Sequence, residues 1–186
     1  MKQDIVFHSC CAPCASAGLS QLIEEGFDVT LYFYGCNIHP QTEWELRADA
    51  LNKLTVAYGA RLVIHEYAPA EWFEIVRGYE NEPEGGRRCE ICMKYQLQKA
   101  ARYALQNGNN TICTSLTLSP QKDPRLINQW GSEIACQKGL HWSERVWRKN
   151  NGFLKSLHES RRLGLYRQNY CGCIFSKHIR EGGLHE

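Results

Sequence analysis

The fold of this chain is predicted from one segment near its start, Ile5-Val6-Phe7-His8-Ser9-Cys10-Cys11-Ala12-Pro13-Cys14. Three consecutive apolar residues are typical of a strand that is buried on both faces, as in a parallel sheet. After the cysteines, apolar residues recur at helical spacing until Gly26 ends the helix. The segment therefore predicts a strand, a loop that carries cysteines, and a helix.

The same alternation continues along the chain. Further strands are predicted at residues 29–34, 61–67 and 111–116, and helices at residues 42–58, 70–77, 89–106 and 123–138. Ser119 and Asp123 are both candidates to cap the last of these helices. Strands and helices that alternate with short connections favour an α/β fold, a parallel sheet with helices on both faces. The last third is mostly helical or irregular, and residues 1–186 are expected to form a single domain.

Polar and thiol side chains follow three of the predicted strands. Cysteines follow the first strand, Asn37 and His39 follow the second, and Ser115 and Ser119 follow the fourth. Parallel sheets bind ligands outside the carboxyl ends of their strands. We therefore expect these residues to converge on one rim of the sheet.

Composition narrows the class of protein. The start of the chain resembles neither a signal peptide nor a membrane anchor, and no apolar run approaches a membrane span, so we expect a cytoplasmic protein without a membrane partner. The ten cysteines are then expected to be reduced and to serve metal or redox chemistry. Between residues 145 and 167, seven basic residues stand against one acid. That excess suits either phosphate binding or an ordinary solvated face.

Seven of the cysteines form three motifs. Cys11 and Cys14 precede one predicted helix, and Cys89 and Cys92 open another, where the helix dipole favours thiolates. Cys10 adjoins the first pair, and Cys171-Gly172-Cys173 adds two more thiols near the end of the chain. An iron–sulfur cluster takes four thiolates. Four thiols plus three suggest a cluster beside a second, incompletely ligated metal ion.

Two other classes remain open from the residues alone. A zinc-stabilised nucleic-acid-binding module needs only four of these ligands, and a dithiol oxidoreductase needs only Cys11 and Cys14. Neither explains all seven thiols. Of the other cysteines, Cys113 and Cys136 are expected to be small core residues, whereas Cys36 lies in a loop of the predicted rim.

Several motifs together resemble the QueH-type epoxyqueuosine reductases. The resemblance covers about residues 5 to 180, and its motifs are His8-Ser9-Cys10-Cys11-Ala12-Pro13-Cys14, Asn37-Ile38-His39-Pro40, Cys89-Glu90-Ile91-Cys92, Thr117-Leu118-Ser119-Pro120 and Tyr166-Arg167-Gln168-Asn169-Tyr170-Cys171-Gly172-Cys173. It implies a Rossmann-like fold of the adenine nucleotide alpha hydrolase kind. It also implies reductive removal of the epoxide oxygen from epoxyqueuosine at the wobble position of tRNA.

The resemblance further implies the cofactors. It implies a 4Fe-4S cluster with an adjacent mononuclear iron, an external low-potential electron donor, and no cobalamin. The first loop has no Ser-Gly-Gly phosphate motif, so we expect no use of ATP, and an ATP-dependent tRNA-thiolating enzyme becomes a minor alternative. The chain departs from the family at two places. Gly35-Cys36 stands where the family often has Asn-Pro, and Cys14 stands where some relatives have aspartate.

Site roles are predicted as follows. Metal ligands come from residues 8–14, 87–92 and 166–173; they are Cys10, Cys11, Cys14, Cys89, Cys92, Cys171 and Cys173. The predicted cluster ligands are Cys89, Cys92, one thiol of Cys10 and Cys11, and one thiol of Cys171 and Cys173. Cys14 is left to the second ion. The candidate proton donors are His39 and Tyr170. Candidates for the substrate's polar edge are Asn37, Glu43, Ser119, Arg167 and Gln168. Candidates for tRNA phosphates are Lys122, Arg125, Arg148, Lys149 and Lys155, with Trp142 or Trp147 as a stacking surface unless they pack in the core.

Overall fold

The computed structural model describes residues 3–177. Its strands are β1 (Asp4–Ser9), β2 (Asp28–Phe33), β3 (Arg61–Ile64), β4 (Thr111–Thr114) and β5 (His141–Trp142). Its helices are α1 (Ala12–Glu24), α2 (Gln41–Tyr58), α3 (Pro69–Ile75), α4 (Arg87–Gln106), α5 (Pro124–Gln137) and α6 (Gly152–Arg162). A short 3-10 helix, Leu116–Leu118, follows β4.

The strands form one parallel sheet in the order β3-β2-β1-β4-β5. β1 is central, and Phe7 lies level with Leu31 of β2 and with Cys113 of β4. Five of its six residues are buried, as expected for a strand that is covered on both faces. The predicted α/β fold with a parallel sheet is confirmed.

Successive side chains of β1 enter two different cores, because strand residues alternate between faces. Ile5 and Phe7 pack with the apolar faces of α1 and α2, whereas Val6 packs with those of α4 and α5. Trp147, from the segment before α6, belongs to the first core. The two layers hold the carboxyl ends of β1, β2 and β4 at one edge.

The structure adjusts several predicted boundaries. β3 ends at Ile64 rather than at residue 67, and β4 ends at Thr114, where the chain turns into the 3-10 helix. The two-residue β5 was not predicted, because so short a strand leaves almost no periodic signal. Asp123 caps α5, as one of the two candidates, with its Oδ1 accepting a hydrogen bond of 2.8 Å from the Arg125 amide. Within residues 3–177, every helix is too short or too polar to cross a membrane.

Candidate metal centre

A cavity of about 420 Å³ opens at the carboxyl ends of the central strands. Cys10 follows β1, Asn37 lies in the loop after β2, and Leu116 follows β4; all three line it. The other thiols in its wall are Cys89, Cys92, Cys171 and Cys173. Thiols of all three motifs therefore meet here, and of the strand-end residues expected at one rim, Cys10 and Asn37 line the cavity.

The start of α4 presents two of these thiols. The Gly85 amide donates a hydrogen bond to Cys89 Sγ at 3.2 Å. Cys92 lies one helical turn after Cys89. Cys92 Sγ accepts two side-chain hydrogen bonds, from Trp72 Nε1 at 3.2 Å and from Gln96 Nε2 at 3.1 Å. Donors that surround a sulfur atom stabilise negative charge on it. Both thiols are thus held in orientations suited to thiolate ligands.

Three hydrogen bonds fix the position of the loop that carries Cys171 and Cys173. The Arg47 guanidinium donates to the carbonyls of Cys171, at 2.9 Å, and Tyr170, at 3.1 Å. The Gly172 carbonyl accepts from the His39 amide at 2.8 Å. Gly172 has a φ of +134°, and a Cβ there would come within 3.1 Å of Arg47. Only glycine fits this conformation and this close approach.

Cys10 also belongs to a group of three thiols at the edge of the cavity. Cys10, Cys11 and Cys14 hydrogen-bond to one another at the start of α1, and Cys11 is its N-cap residue. Hydrogen bonds from Cys10 and Cys14, together with the nearby Arg47 charge, hold the pKa of Cys11 well below its usual value. Hydrogen bonds with Cys10 and Cys11, together with burial, raise the pKa of Cys14. The group therefore favours a thiolate at Cys11 beside protonated thiols at Cys10 and Cys14.

The thiols at α4 and in the C-terminal loop form a second electrostatic group. Burial raises the pKa of Cys89, Cys92 and Cys173. For Cys92 the neighbouring charges of Cys171 and Cys173 raise the pKa further. Cys171 contributes to the raised pKa of each of the other three thiols, so the four sulfur atoms lie in one neighbourhood that could share a cation or a cluster.

Lys122 lies between the two thiol groups. Its Nζ is 3.9 Å from Cys171 Sγ, and it lines the cavity. Cys171 is the main cause of the raised pKa of this ammonium, with further contributions from Cys10, Cys14 and Cys11. Lys122 was predicted to contact tRNA phosphate; the structure instead directs its charge toward the thiols.

Arg88 supplies a second buried cation. One of its guanidinium nitrogens donates to the carbonyls of Tyr79, at 3.2 Å, of Glu80, at 2.7 Å, and of Glu82. Its Nε and second terminal nitrogen are buried without a hydrogen-bond partner among residues 3–177. Buried polar groups normally have partners. An anionic group in the cavity, such as a thiolate-ligated iron–sulfur cluster, would provide one, so the donor set fits such a cluster.

The two predicted proton donors lie behind this wall. Tyr170 donates its hydroxyl hydrogen bond to the His39 carbonyl, and burial raises its pKa to about 12. The His39 ring packs on Trp72 and Phe73, and burial lowers its pKa to about 4. In the described chain neither side chain is part of the cavity lining. Their catalytic role stays a prediction, although the geometry gives both a structural one.

Among the predicted substrate contacts, Asn37 is the one that lines the cavity; its Oδ1 is buried and lacks a hydrogen-bond partner within residues 3–177. Glu43 is instead committed to the protein, because it pairs with Arg47 at 2.8 Å and accepts from the Tyr166 hydroxyl at 2.6 Å. This pair is buried. Glu43 thus positions Arg47.

The remaining predicted contacts are more peripheral. Ser119 accepts from the Gln121 amide at 3.4 Å, in the turn that leads to Lys122. Arg167 is exposed, and its guanidinium lies 3.5 Å from Ser160 Oγ. Gln168 is half-buried, and its Oε1 has no partner in the described chain. Their substrate contacts stay predictions.

The predicted tRNA contacts divide into two groups. Arg125, Lys149 and Lys155 are exposed. Arg148 instead donates to the carbonyls of Ser119, at 3.1 Å, and Lys122, at 3.0 Å, and so holds the turn that carries Lys122. Lys149 and Lys155 border a separate cleft.

Neither candidate stacking tryptophan is available to a base. Trp147 Nε1 donates to the Thr114 carbonyl at 2.7 Å, and Trp142 Nε1 donates to Asn128 Oδ1 at 3.0 Å. Both rings lie in the core, the alternative that the sequence left open. Of the other cysteines, Cys113 is buried as expected. The expectation that Cys136 is a core residue is wrong, since the thiol is exposed near the end of α5.

The comparisons with known proteins agree with this site. The family model described as epoxyqueuosine reductase QueH matches residues 5–179. The chain belongs to the QueH family. Relatives named epoxyqueuosine reductase QueH include one from Acinetobacter baylyi, 36% identical over 92% of this chain and 79% of its own length. Another, from Dehalococcoides mccartyi, is 33% identical over 98% of this chain and 97% of its own. The predicted family and enzyme class, an oxidoreductase, are confirmed.

A solved structure supports the fold. The U34-tRNA thiolase NcsA from Methanococcus maripaludis, a protein with a [4Fe-4S] cluster, matches 97% of this chain and 65% of its own with a TM-score of 0.55 and 13% identity. This likeness agrees with the α/β fold and its parallel sheet. The zinc-module and dithiol alternatives find no support in the QueH family match.

Two residues at the site were not predicted. They are Arg88 and Gln96, neither of which was among the predicted site residues. Gln96 stands four residues after Cys92, so helical spacing alone brings its amide to that sulfur. That signal was available in the sequence. The folding of residues 79–82 over Arg88 was not, because it depends on a loop without periodicity.

Proposed function

We propose that the chain reduces epoxyqueuosine in tRNA to queuosine in the cytoplasm, with electrons from an external low-potential donor. The observation that carries the proposal is the meeting of thiols from three distant segments at one cavity, five of them in its wall, in a chain of the QueH family. Conversion of the epoxide to an alkene takes up two electrons and two protons and releases water. The residues of the cavity must therefore hold protons and exclude bulk solvent.

The thiols divide by their mutual contacts. Cys89, Cys92, Cys171 and Cys173 would hold a 4Fe-4S cluster, because they line one cavity and interact electrostatically with one another. Cys10, Cys11 and Cys14 would hold a mononuclear iron, because they contact one another directly. This division differs from the prediction made from the sequence, in which the cluster took one ligand from Cys10 and Cys11 and one from Cys171 and Cys173. When bound, the two groups supply electron transfer and Lewis-acid polarisation.

Three thiols leave the second site one ligand short of a closed tetrahedron. That shortage is appropriate for an ion that must accept a substrate atom. The low pKa of Cys11 supplies one thiolate without metal, so binding of the ion has to displace protons from Cys10 and Cys14.

Lys122 is the proposed proton donor nearest to both groups. Its ammonium lies in the cavity, and neighbouring sulfur charges raise its pKa, so it is protonated at neutral pH. Asn37, with an unsatisfied carbonyl oxygen in the same wall, would accept a hydrogen bond from a substrate hydroxyl or amine. His39 and Tyr170, which lie on two different loops outside the cavity lining, are not assigned this proton transfer.

Recognition of tRNA is assigned to the exposed cations. Arg125 lies near the start of α5, two residues from Asp123 of the cavity wall, and would contact phosphates beside the wobble nucleotide. Lys149 and Lys155 lie at a separate cleft and would contact phosphates farther away. A nucleotide of the anticodon loop can be turned outward and inserted into a cavity, as single-stranded RNA bases commonly are.

The test is anaerobic incubation of the purified protein with tRNA that contains epoxyqueuosine, a low-potential reductant and, in a parallel sample, no reductant. Mass analysis of the nucleosides should show loss of one oxygen only with reductant. The protein should be brown, with a broad visible absorption that dithionite bleaches. Colourless protein with one zinc ion, or metal-free protein, would reject the proposal and favour the zinc-module or dithiol alternative.

A further inference from the structure

A second group of ligand-type side chains lies outside the cysteine cavity. One ligand atom each from Cys36, His65 and Glu71 lies within 4.8 Å of the other two. Cys36 is in the loop after β2, His65 directly follows β3, and Glu71 is in the first turn of α3. Three elements that are separated in sequence thus bring sulfur, nitrogen and oxygen ligands together.

Cys36 is held in an orientation suited to a thiolate ligand. Its side chain is fully buried, and the Ala68 amide donates to its sulfur at 3.4 Å. The thiol proton points to the Glu66 carbonyl at 3.2 Å. A metal ion would replace that proton, while the bond from Ala68 would remain as an outer-shell contact to the sulfur.

His65 and Glu71 each keep a ligand atom available. The Tyr32 hydroxyl lies 3.2 Å from His65 Nδ1, so it engages one of the two ring nitrogens and leaves one for a metal. Oε1 of Glu71 is engaged by Lys99 and by the Tyr95 hydroxyl at 2.7 Å. Oε2 has only a long contact of 3.5 Å with the Tyr34 hydroxyl. The engaged atoms fix the orientations of both side chains.

We propose that Cys36, His65 and Glu71 bind a zinc ion. A thiolate, an imidazole and a carboxylate are the three ligand types that zinc combines, and the two anionic ligands balance its charge. A tetrahedral zinc ion separates its ligand atoms by about 3.5 Å, so each atom needs to shift by less than about 1 Å. The fourth position is left to water or to the Tyr34 hydroxyl.

A zinc ion at this place would be structural for the neighbouring cavity. It would join the loop after β2, the end of β3 and α3. Asn37, next to Cys36, lines the cysteine cavity, and Trp72, next to Glu71, donates to Cys92. A zinc ion that fixes Cys36 and Glu71 would therefore also fix Asn37 and the hydrogen bond from Trp72 to Cys92. The zinc ion itself would take no part in the reaction.

The test measures zinc in the anaerobically purified, iron-loaded protein. After incubation with zinc sulfate and gel filtration, the wild type should retain about one zinc ion per chain, and Cys36→Ala and His65→Ala should retain at least tenfold less. Cys136→Ala, which removes an exposed thiol, is the matched control and should retain the ion. Unchanged visible absorption and iron content would establish that each variant is folded.

Zinc X-ray absorption identifies where the ion sits. One sulfur among nitrogen and oxygen neighbours is expected in the wild type. A shell of two or three sulfurs would place the ion at Cys10, Cys11 and Cys14 and overturn the proposal, as would zinc retained at full stoichiometry in both variants or no zinc in the wild type. If Cys36→Ala fails to fold, His65→Ala, at a half-buried side chain, decides the question alone.

Discussion

Two Cys-x-x-Cys steps begin helices in this protein, and they differ in charge. Cys11 and Cys14 stand at the start of α1, and Cys89 and Cys92 at the start of α4. The helix dipole favours a thiolate in both places. Yet the pKa of Cys11 is lowered, whereas the pKa of Cys92 is raised.

The surroundings explain the difference. Cys11 accepts hydrogen bonds from two neighbouring thiols and lies near the charge of Arg47. Cys92 accepts two hydrogen bonds as well, but burial and the charge of Cys171 outweigh them. The spacing of a motif therefore determines which thiols can bind the same metal ion or cluster. The packing around the motif determines which of these thiols are ionised in the absence of the metal.

Removal of one thiol from each step should give the largest effects and separate the two sites. Cys92→Ala should abolish both the visible absorption and the reduction of epoxyqueuosine, because the cluster loses a ligand. Cys14→Ala should abolish activity but keep most of the visible absorption, because the cluster ligands remain. Absorption spectra and iron content of anaerobic samples check this difference, with Cys136→Ala as the control. Equal loss of absorption in both variants would show that the thiols are not divided between two sites.

Lys122→Met should leave both metal groups in place and lower kcat about 100-fold, since a positioned proton donor contributes about that much or more. Lys122→Arg keeps the positive charge but replaces the compact ammonium by a larger planar guanidinium, which misplaces the proton, so it should stay slow. Single-turnover rates with excess protein provide the measurement. A Lys122→Arg enzyme as fast as the wild type would mean that the charge near Cys171 matters and the proton does not.

Arg47→Ala should lower the free energy of unfolding by about 3–5 kcal/mol, because Glu43 would stay buried without its partner. The carbonyls of Tyr170 and Cys171 would also lose their donor, which weakens the C-terminal loop. Urea denaturation under anaerobic conditions measures the change. Arg102→Ala, on an exposed position of α4, should stay within about 0.5 kcal/mol of the wild type. A similar small change for Arg47→Ala would contradict the role of this pair.

The smallest effect is expected on the surface. The double change Lys149→Ala and Lys155→Ala should raise KM for tRNA several-fold at unchanged kcat, because two phosphate contacts would be lost. The slope of log KM against log salt should fall by about 1 to 2. Activity assays at several salt concentrations check both quantities, and the double change Lys53→Ala and Arg102→Ala, at two other exposed positions, serves as the charge-matched control. A change in kcat instead would place these lysines nearer to the metal centre than the structure does.

Much of this protein is determined by the sequence itself. Apolar runs such as residues 5–7 specify buried parallel strands, and parallel strands bring their carboxyl ends to one edge, which is why the placement of Cys10 and Asn37 at one rim could be predicted. Local spacing also specifies the cap at Asp123 and the order of the first four strands along the chain. These features depend on neighbours a few residues apart.

Other features depend on contacts between distant residues, and only the tertiary structure decided them. The approach of Arg47 to the Cys171 carbonyl, the direction of Lys122 toward the thiols and the meeting of Cys36 with His65 and Glu71 join parts of the chain that no periodicity relates. The charge of a thiol belongs to this class too. Burial and neighbouring charges act through space, so thiols in two motifs of the same spacing, such as Cys11 and Cys92, acquire opposite pKa shifts.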